Sequence, residues 1–174
     1  MAADTRDRIL DALEQLLLDR GVQQVTLEAV AEAAGVSKGG LLYHFGSKDV
    51  LLAGMVRRLG ERSDQQLAEG VESGESVAEW FLQLPGASDT TELALFRSML
   101  AVMRSIDGPH SEVQEALSQV LRSWDSGLRR EIGDPVQAEI VRLVGDGIYL
   151  GALLGLPPTD PELHRQVVAR LLGR

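Results

Sequence analysis

The sequence predicts an all-α protein of about nine helices. Leu and Ala dominate its apolar residues while β-branched runs are few, which favours helix over sheet. In stretch after stretch the apolar positions recur at helical spacing. The breaks between stretches carry the residues that end helices, glycine above all, or start them: Ser, Thr, Asp and Pro.

The first helix runs from Thr5 to Arg20, with Ile9, Leu10, Leu13, Leu16 and Leu17 on one face, Thr5 suited to cap it and Gly21 to the left-handed exit. A shorter one follows Thr26, carries Leu27, Val30, Ala31 and Ala34, and stops at Gly35. A third starts at Ser37 and runs to about Tyr43. The fourth begins after Ser47, turns Val50, Leu51, Met55 and Leu59 inward, and continues to about Glu69. The polar stretch Glu69 to Ser76 marks a joint. Beyond it a short helix with Val77, Trp80, Phe81 and Leu84 ends at Pro85-Gly86, and Asp89 with Glu92 reads as a capping box for a helix carrying Leu93, Phe96, Leu100 and Met103. That helix stops near Asp107-Gly108-Pro109. Ser111 with Gln114 opens another, along which Val113, Leu117, Val120, Leu121, Trp124 and Leu128 keep helical period up to Gly133. Asp134-Pro135 starts the next, because Pro at the first helical position loses no useful hydrogen bond; it ends at Pro157-Pro158. The last follows Thr159-Asp160-Pro161 and reaches about Leu172.

Composition narrows the classes of function. The chain has 174 residues and no cysteine, so disulfide and thiolate chemistry are excluded. Met1 to Arg8 do not form a secretory signal, and no apolar run approaches the roughly 18 residues of a membrane span, so a cytoplasmic protein without membrane contact is expected. No metal or cofactor is expected either. The three histidines, His44, His110 and His164, lack metal-ligand spacing, and neither a phosphate-cradling glycine loop after a strand nor a nucleophile elbow is present, so catalysis is not expected. The net charge of −9 argues mildly against nucleic acid, but what matters for docking is where the charges sit.

The most specific signal is Thr26 to Phe45, TLEAVAEAAGVSKGGLLYHF. Two short helices meet at the tight turn Ala34-Gly35-Val36: Ala31 is small where they cross, Gly35 permits positive φ, and Val36 and Leu41 can plug the core beneath. Ser37 caps the second helix. This is a helix-turn-helix pattern, in which the second helix enters the major groove. From about Thr5 to Val56 the sequence resembles the TetR family of one-component regulators, most closely along SKGGLLYHFGSK; the carboxyl half resembles it only in layout.

The resemblance implies a helix-turn-helix domain over 1–48 and a helical effector-binding and dimerisation domain over 49–174. It implies that Thr26 and Lys48 touch phosphates of double-stranded operator DNA, that Tyr43 and His44 flank the backbone, and that Ser37, Lys38, Gly39, Gly40 and Leu41 form the groove-facing end, with Lys38 on a guanine edge. Two residues depart from the family's pattern. Gly40 stands where many members carry a side chain, which shifts readout toward DNA shape. Gly46 replaces the usual Pro, which implies a looser hinge.

Palindromic operators call for a homodimer with recognition helices roughly 34 Å apart. The last two helices are the expected interface, through Val136, Ile140, Val144, Gly147, Ile148, Gly151, Ala152, Leu163, Val167 and Leu171. The stripe Gly147, Gly151, Gly155 lets a neighbouring helix come close, either the partner's or the chain's own last helix. The resemblance also implies a pocket for a small, largely apolar effector. Its candidates are Trp80, Phe81, Phe96, Met99, Met103, Trp124, Asp146 and Tyr149, each with an ordinary core or hydrogen-bonded role as the alternative. An effector would act by population shift, favouring a conformer whose recognition helices are wrongly spaced, with the fourth helix as the lever. The rival reading is a helical protein-interaction module that keeps this architecture without operator binding; its support is the acidic surface.

Overall fold

Thr26 and Ser37 each accept a backbone N–H from three residues ahead, Ala29 at 3.1 Å and Gly40 at 3.0 Å, and so start two short helices where the sequence sets their caps. The computed structural model describes residues 5–21, 24–84, 91, 93–97 and 111–174. Among these residues eight helices have defined ends: α1 (Thr5–Arg20), α2 (Leu27–Ala33), α3 (Lys38–Phe45), α4 (Lys48–Glu72), α5 (Val77–Phe81), α6 (Glu112–Ile132), α7 (Pro135–Leu154) and α8 (Pro161–Leu171). Residues 93–97 are helical as well, and no strand occurs among the described residues. The all-α expectation holds. The helix ends shift by two or three residues: α3 continues past Tyr43 to Phe45, α4 past Glu69 to Glu72, and α5 stops at Phe81. The box at Asp89 and Glu92, and the helix end near 107–109, lie outside the described residues.

The local signals act as their chemistry requires. Gly21 and Gly35 take φ of +70° and +66°, the left-handed region that glycine enters without steric cost. Asp134 and Asp160 cap α7 and α8, each followed by Pro at the first helical position. One box went unread in the sequence. Ser76 accepts from the Glu79 N–H at 3.0 Å while the Glu79 carboxylate accepts from the Ser76 N–H at 3.1 Å, closing the start of α5.

The chain divides into two compact units, Met1–Glu61 with Thr91–Val120 and Arg62–Thr90 with Leu121–Arg174. This differs from a boundary after Lys48, because the first half of α4 belongs to the core of the first unit. Leu51, Leu52, Met55 and Leu59 of α4 are buried, as are Ile9, Leu10, Leu13 and Leu17 of α1, Val30 and Ala31 of α2, and Leu41 and Phe45 of α3. Burial of each such Leu stabilises by roughly 2 kcal/mol. Gly54 admits the Phe45 ring against α4: a Cβ there would stand 2.8 Å from Phe45 Cε1.

In the second unit Ala78, Leu82, Leu128 and Val141 form the centre, packed around by Val77, Ile132, Val144, Ile148, Val168, Leu171 and Leu172. The Glu131 carboxylate accepts from the N–H groups of Val77 and Ala78 at the start of α5. At the other end, His164 of α8 donates through Nε2 to the Leu82 carbonyl at 2.8 Å. No helix among the described residues is long and apolar enough to cross a membrane.

Candidate nucleic-acid interface

The turn between α2 and α3 is built by Ala34-Gly35-Val36. Val36 N–H donates to the Ala31 carbonyl at 3.0 Å, and Gly35 N–H to Glu32 at 3.1 Å. This sets α3 with Leu41 and Phe45 inward and Ser37, Lys38, Gly39 and Tyr43 outward. Tyr43 is 87% exposed, a large side chain with no packing role in the chain's own core. His44, partly buried, meets it edge to face at 5.4 Å.

Leu41 corrects one expectation. It is fully buried, so it anchors α3 from beneath and cannot form part of the groove-facing end. Gly39 and Gly40 do lie on or near the surface. A Cβ on Gly40 would sit 3.2 Å from Ser37 Oγ, tight against the cap itself, whereas one on Gly39 would meet only that oxygen at 4.0 Å. The small residue at 40 thus leaves the Ser37 cap uncrowded, in addition to exposing backbone.

The two residues assigned to phosphate are brought together. Lys48, the first residue of α4, donates through Nζ to the carbonyl of Val25, one residue before the Thr26 cap. Gly46 is more than a loosened hinge. It ends α3 at φ +51° and ψ −43°, donating to the Leu42 carbonyl at 2.8 Å. Proline, fixed near φ −65°, cannot adopt that backbone.

Two features of the site were missed at the sequence level. Lys38 Nζ lies 2.6 Å from Glu28 Oε1 of α2, with the two side chains 55% and 63% exposed. The hydrogen bond from Lys38 is the main reason the Glu28 carboxyl is held below its usual range, helped by a backbone N–H and the lysine's charge. The second feature is Arg6, whose guanidinium stacks over the Phe45 ring at 5.3 Å and so sits beside the end of α3. Residues on separate helices cannot be paired from spacing, though the excess of acids on α2 was a visible hint for Glu28.

Three of the residues expected to line a pocket meet in the second unit. Trp80 packs edge-on to Phe81 and Trp124, with centroids 6.4 and 5.9 Å apart, and the Trp124 indole N–H donates to Asp64 at 2.9 Å. Phe96 is buried and belongs to the first unit. Tyr149 is partly buried. Asp146 has the hydrogen-bonded role given as its alternative: it takes part in an ion-pair ladder, accepting from Arg142 at 2.6 Å, while Arg142 and Arg129 both reach Glu139. Its pair with Arg142 is of the i,i+4 kind that forms along a helix surface, and the Asp146 side chain is 44% exposed. Met99 and Met103 lie outside the described residues. An open cleft of about 530 Å³ is lined by Ile132, Gln137, Ile140, Arg170, Leu171 and Leu172, with Gly173, and none of the described pocket candidates is among its lining residues.

The expected interface residues separate into two faces. Val144, Ile148 and Leu171 are partly buried and pack on the chain's own core. Val136, Ile140, Leu163 and Val167 are exposed, joined by Leu143, Leu150 and Leu154, which sequence reasoning passed over. Cβ atoms built on Gly147 and Gly151 would meet open space among the described residues. The glycine of close approach is Gly145, where a Cβ would collide with the Phe81 ring. Ala152 is partly buried.

A family model for bacterial regulatory proteins of the tetR family matches residues 9–55, and one for the tetracyclin repressor-like C-terminal domain matches residues 75–174. The chain belongs to the TetR family. Among its relatives is the HTH-type transcriptional regulator TtgR of Pseudomonas putida, 38% identical over 76 residues, covering 44% of this chain and 36% of TtgR. The match thus spans about a third of that TetR-family protein. An uncharacterized HTH-type regulator of Mycobacterium tuberculosis is 27% identical over 95% of this chain and 82% of its own length. The multidrug binding protein EbrR, solved in complex with imidazole, superposes with a TM-score of 0.71 at 27% identity, over 97% of this chain and 94% of that one. A putative regulator from Streptomyces coelicolor superposes with a TM-score of 0.77 at 22% identity, over 96% and 97% of the two chains, a likeness of fold.

Proposed function

We propose that this TetR-family chain is a cytoplasmic transcriptional repressor that binds a palindromic operator as a homodimer and is released by a small-molecule effector. The observation that carries the reading is α3, anchored by buried Leu41 and Phe45 while Lys38, Gly39 and Tyr43 stand exposed beside the Ser37 cap. Thr26, Ser37, Lys38, Gly39, Gly40, Tyr43, His44 and Lys48 form the DNA-facing set. Lys48 and Thr26 contact phosphate, Tyr43 and His44 flank the backbone, and Lys38 reads a base edge.

The dimer rests on α7. Val136, Ile140, Leu143, Gly147, Leu150 and Leu154 follow one another at steps of four and three, and every one of them is exposed. A row of this kind on the last long helices is suited to a symmetric partner, since contiguous apolar surface is seldom left to water. Leu163 and Val167 extend the apolar surface on α8. For the effector, support comes from the aromatic group Trp80, Phe81 and Trp124 and from EbrR, which has been solved with ethidium and malachite green as well as imidazole. Both favour a flat aromatic ligand, which can stack on such side chains. It acts by preferring a conformer in which the two recognition helices no longer match the half-site spacing.

Leu150→Glu tests the dimer and its link to DNA together. Sedimentation should show a monomer, and affinity for a duplex selected by the wild type should fall by about 100-fold or more as the second half-site is lost. A variant that stays dimeric with full affinity would move the interface elsewhere. The interaction-module reading predicts that any complex is barely sensitive to salt, whereas operator binding weakens steeply as salt rises.

A further inference from the structure

The exposed start of α3 offers few side chains for reading bases: Gly39 and Gly40 have none, and Lys38 is already held by Glu28 at 2.6 Å. The carboxylate therefore belongs to the reading surface as much as the ammonium does. Glu28 is the second residue of α2 and Lys38 the first of α3, so the turn itself brings the two charges together on the exposed side. Lys48, by contrast, is tied to the Val25 carbonyl.

We propose that Glu28 is a specificity-determining residue: it holds the Lys38 ammonium toward a guanine edge and accepts from the amino group of a cytosine, so that the position contacted is G·C. The inference rests on the operator-binding reading above. An ammonium has three N–H donors and a carboxylate two oxygens; after they pair, both keep capacity to bond outward. Guanine sets two acceptors, O6 and N7, side by side in the major groove, and cytosine presents the N4 amino donor. Adenine and thymine alternate acceptor, donor and acceptor, which gives the ammonium no adjacent pair of acceptors on one base. The carboxylate also repels phosphate and neutralises the cation beside it, so Lys38 adds little to sequence-independent attraction. Glu28 thereby trades general affinity for discrimination. A glutamate carboxyl is ionised throughout the neutral range in any case, and the Lys38 hydrogen bond favours the charged form further.

The test uses full-length wild type, Glu28→Gln and Glu28→Ala, each checked for helical content, against a duplex selected by the wild type and a scrambled duplex over a salt series. Both variants should bind the scrambled duplex several-fold more tightly, with a log–log salt slope steeper by about 0.9, the signature of one more phosphate neutralised once Lys38 is freed. Selectivity for G·C at one position in each half-site should fall about tenfold. If selectivity and slope in both variants match the wild type, the pair is a spectator and this inference alone is overturned. If the wild type selects no duplex, the operator reading falls and the inference with it.

Discussion

Arg58 of α4 donates to Glu14 of α1 through Nε and Nη2, to the Asp11 carboxylate at 2.7 Å, and to the Asp7 carbonyl at 3.3 Å. The Arg58 and Glu14 side chains are only 13% and 12% exposed, so this ion pair is worth far more intact than half broken. Arg58→Met should cost about 3 kcal/mol in denaturant unfolding, the low end for a buried charge left alone, because the site keeps a rim of solvent. Nothing in the sequence announces this pairing. The partners are 44 residues apart, and each reads locally as a charge on the polar side of an amphipathic helix. Capping residues are the opposite case, legible because donor and acceptor lie within three positions; Thr26, Ser37, Asp134 and Asp160 all act as read. Glu79 adds a prediction in pH. Its carboxyl is held below the ordinary range, first by the Ser76 backbone N–H and then by Arg174, so its contribution is present above the unfolded-state pKa and disappears as pH falls through the lower folded value. Glu79→Gln should be less stable than wild type at neutral pH, and the gap in thermal melts should begin to narrow as pH falls below the unfolded-state value of about 4.3 and close once the lower folded value is passed.

At the scale of the element, α7 shows where periodicity succeeds and where it misleads. Reading Val136, Ile140, Val144 and Ile148 as one face follows steps of four, and each such step advances about 40° round a helix of 3.6 residues per turn. The row therefore winds from exposed Val136 to Val144 and Ile148 on the core. Alternating steps of four and three would have kept to one side and found Leu143, Leu150 and Leu154. The glycines of α7 divide in the same way. Gly145→Ala would press on Phe81 and its carbonyl, both within 2.7 Å of the added carbon, and should destabilise by about 1–3 kcal/mol. Gly147→Ala meets open space among the described residues and should leave the fold of a Leu150→Glu background unchanged or up to about 1 kcal/mol more stable through helix propensity. Equal losses in both would contradict the assignment of faces.

For the whole molecule, the first unit was largely readable because its signal is local: TLEAVAEAAGVSKGGLLYHF contains caps, turn and anchor within twenty residues. The second unit was less so, because apolar and aromatic residues at helical spacing do not say whether they face core, ligand or partner. Its central residues lie on α5 and its C-cap, on α6 and on α7, far apart in the chain. Net charge misled in a different way. A total of −9 describes the surface as a whole, while docking depends on the few groups beside α3. The proposed function has this surface read operator DNA as a symmetric dimer. Selection from a random duplex library at moderate salt, with wild type, Lys48→Ala and Tyr43→Ala in parallel, tests it most directly. An enriched inverted repeat with half-sites about one helical turn apart, weakened in both variants, is the expected result. No enrichment at low salt by a folded, dimeric protein would contradict it.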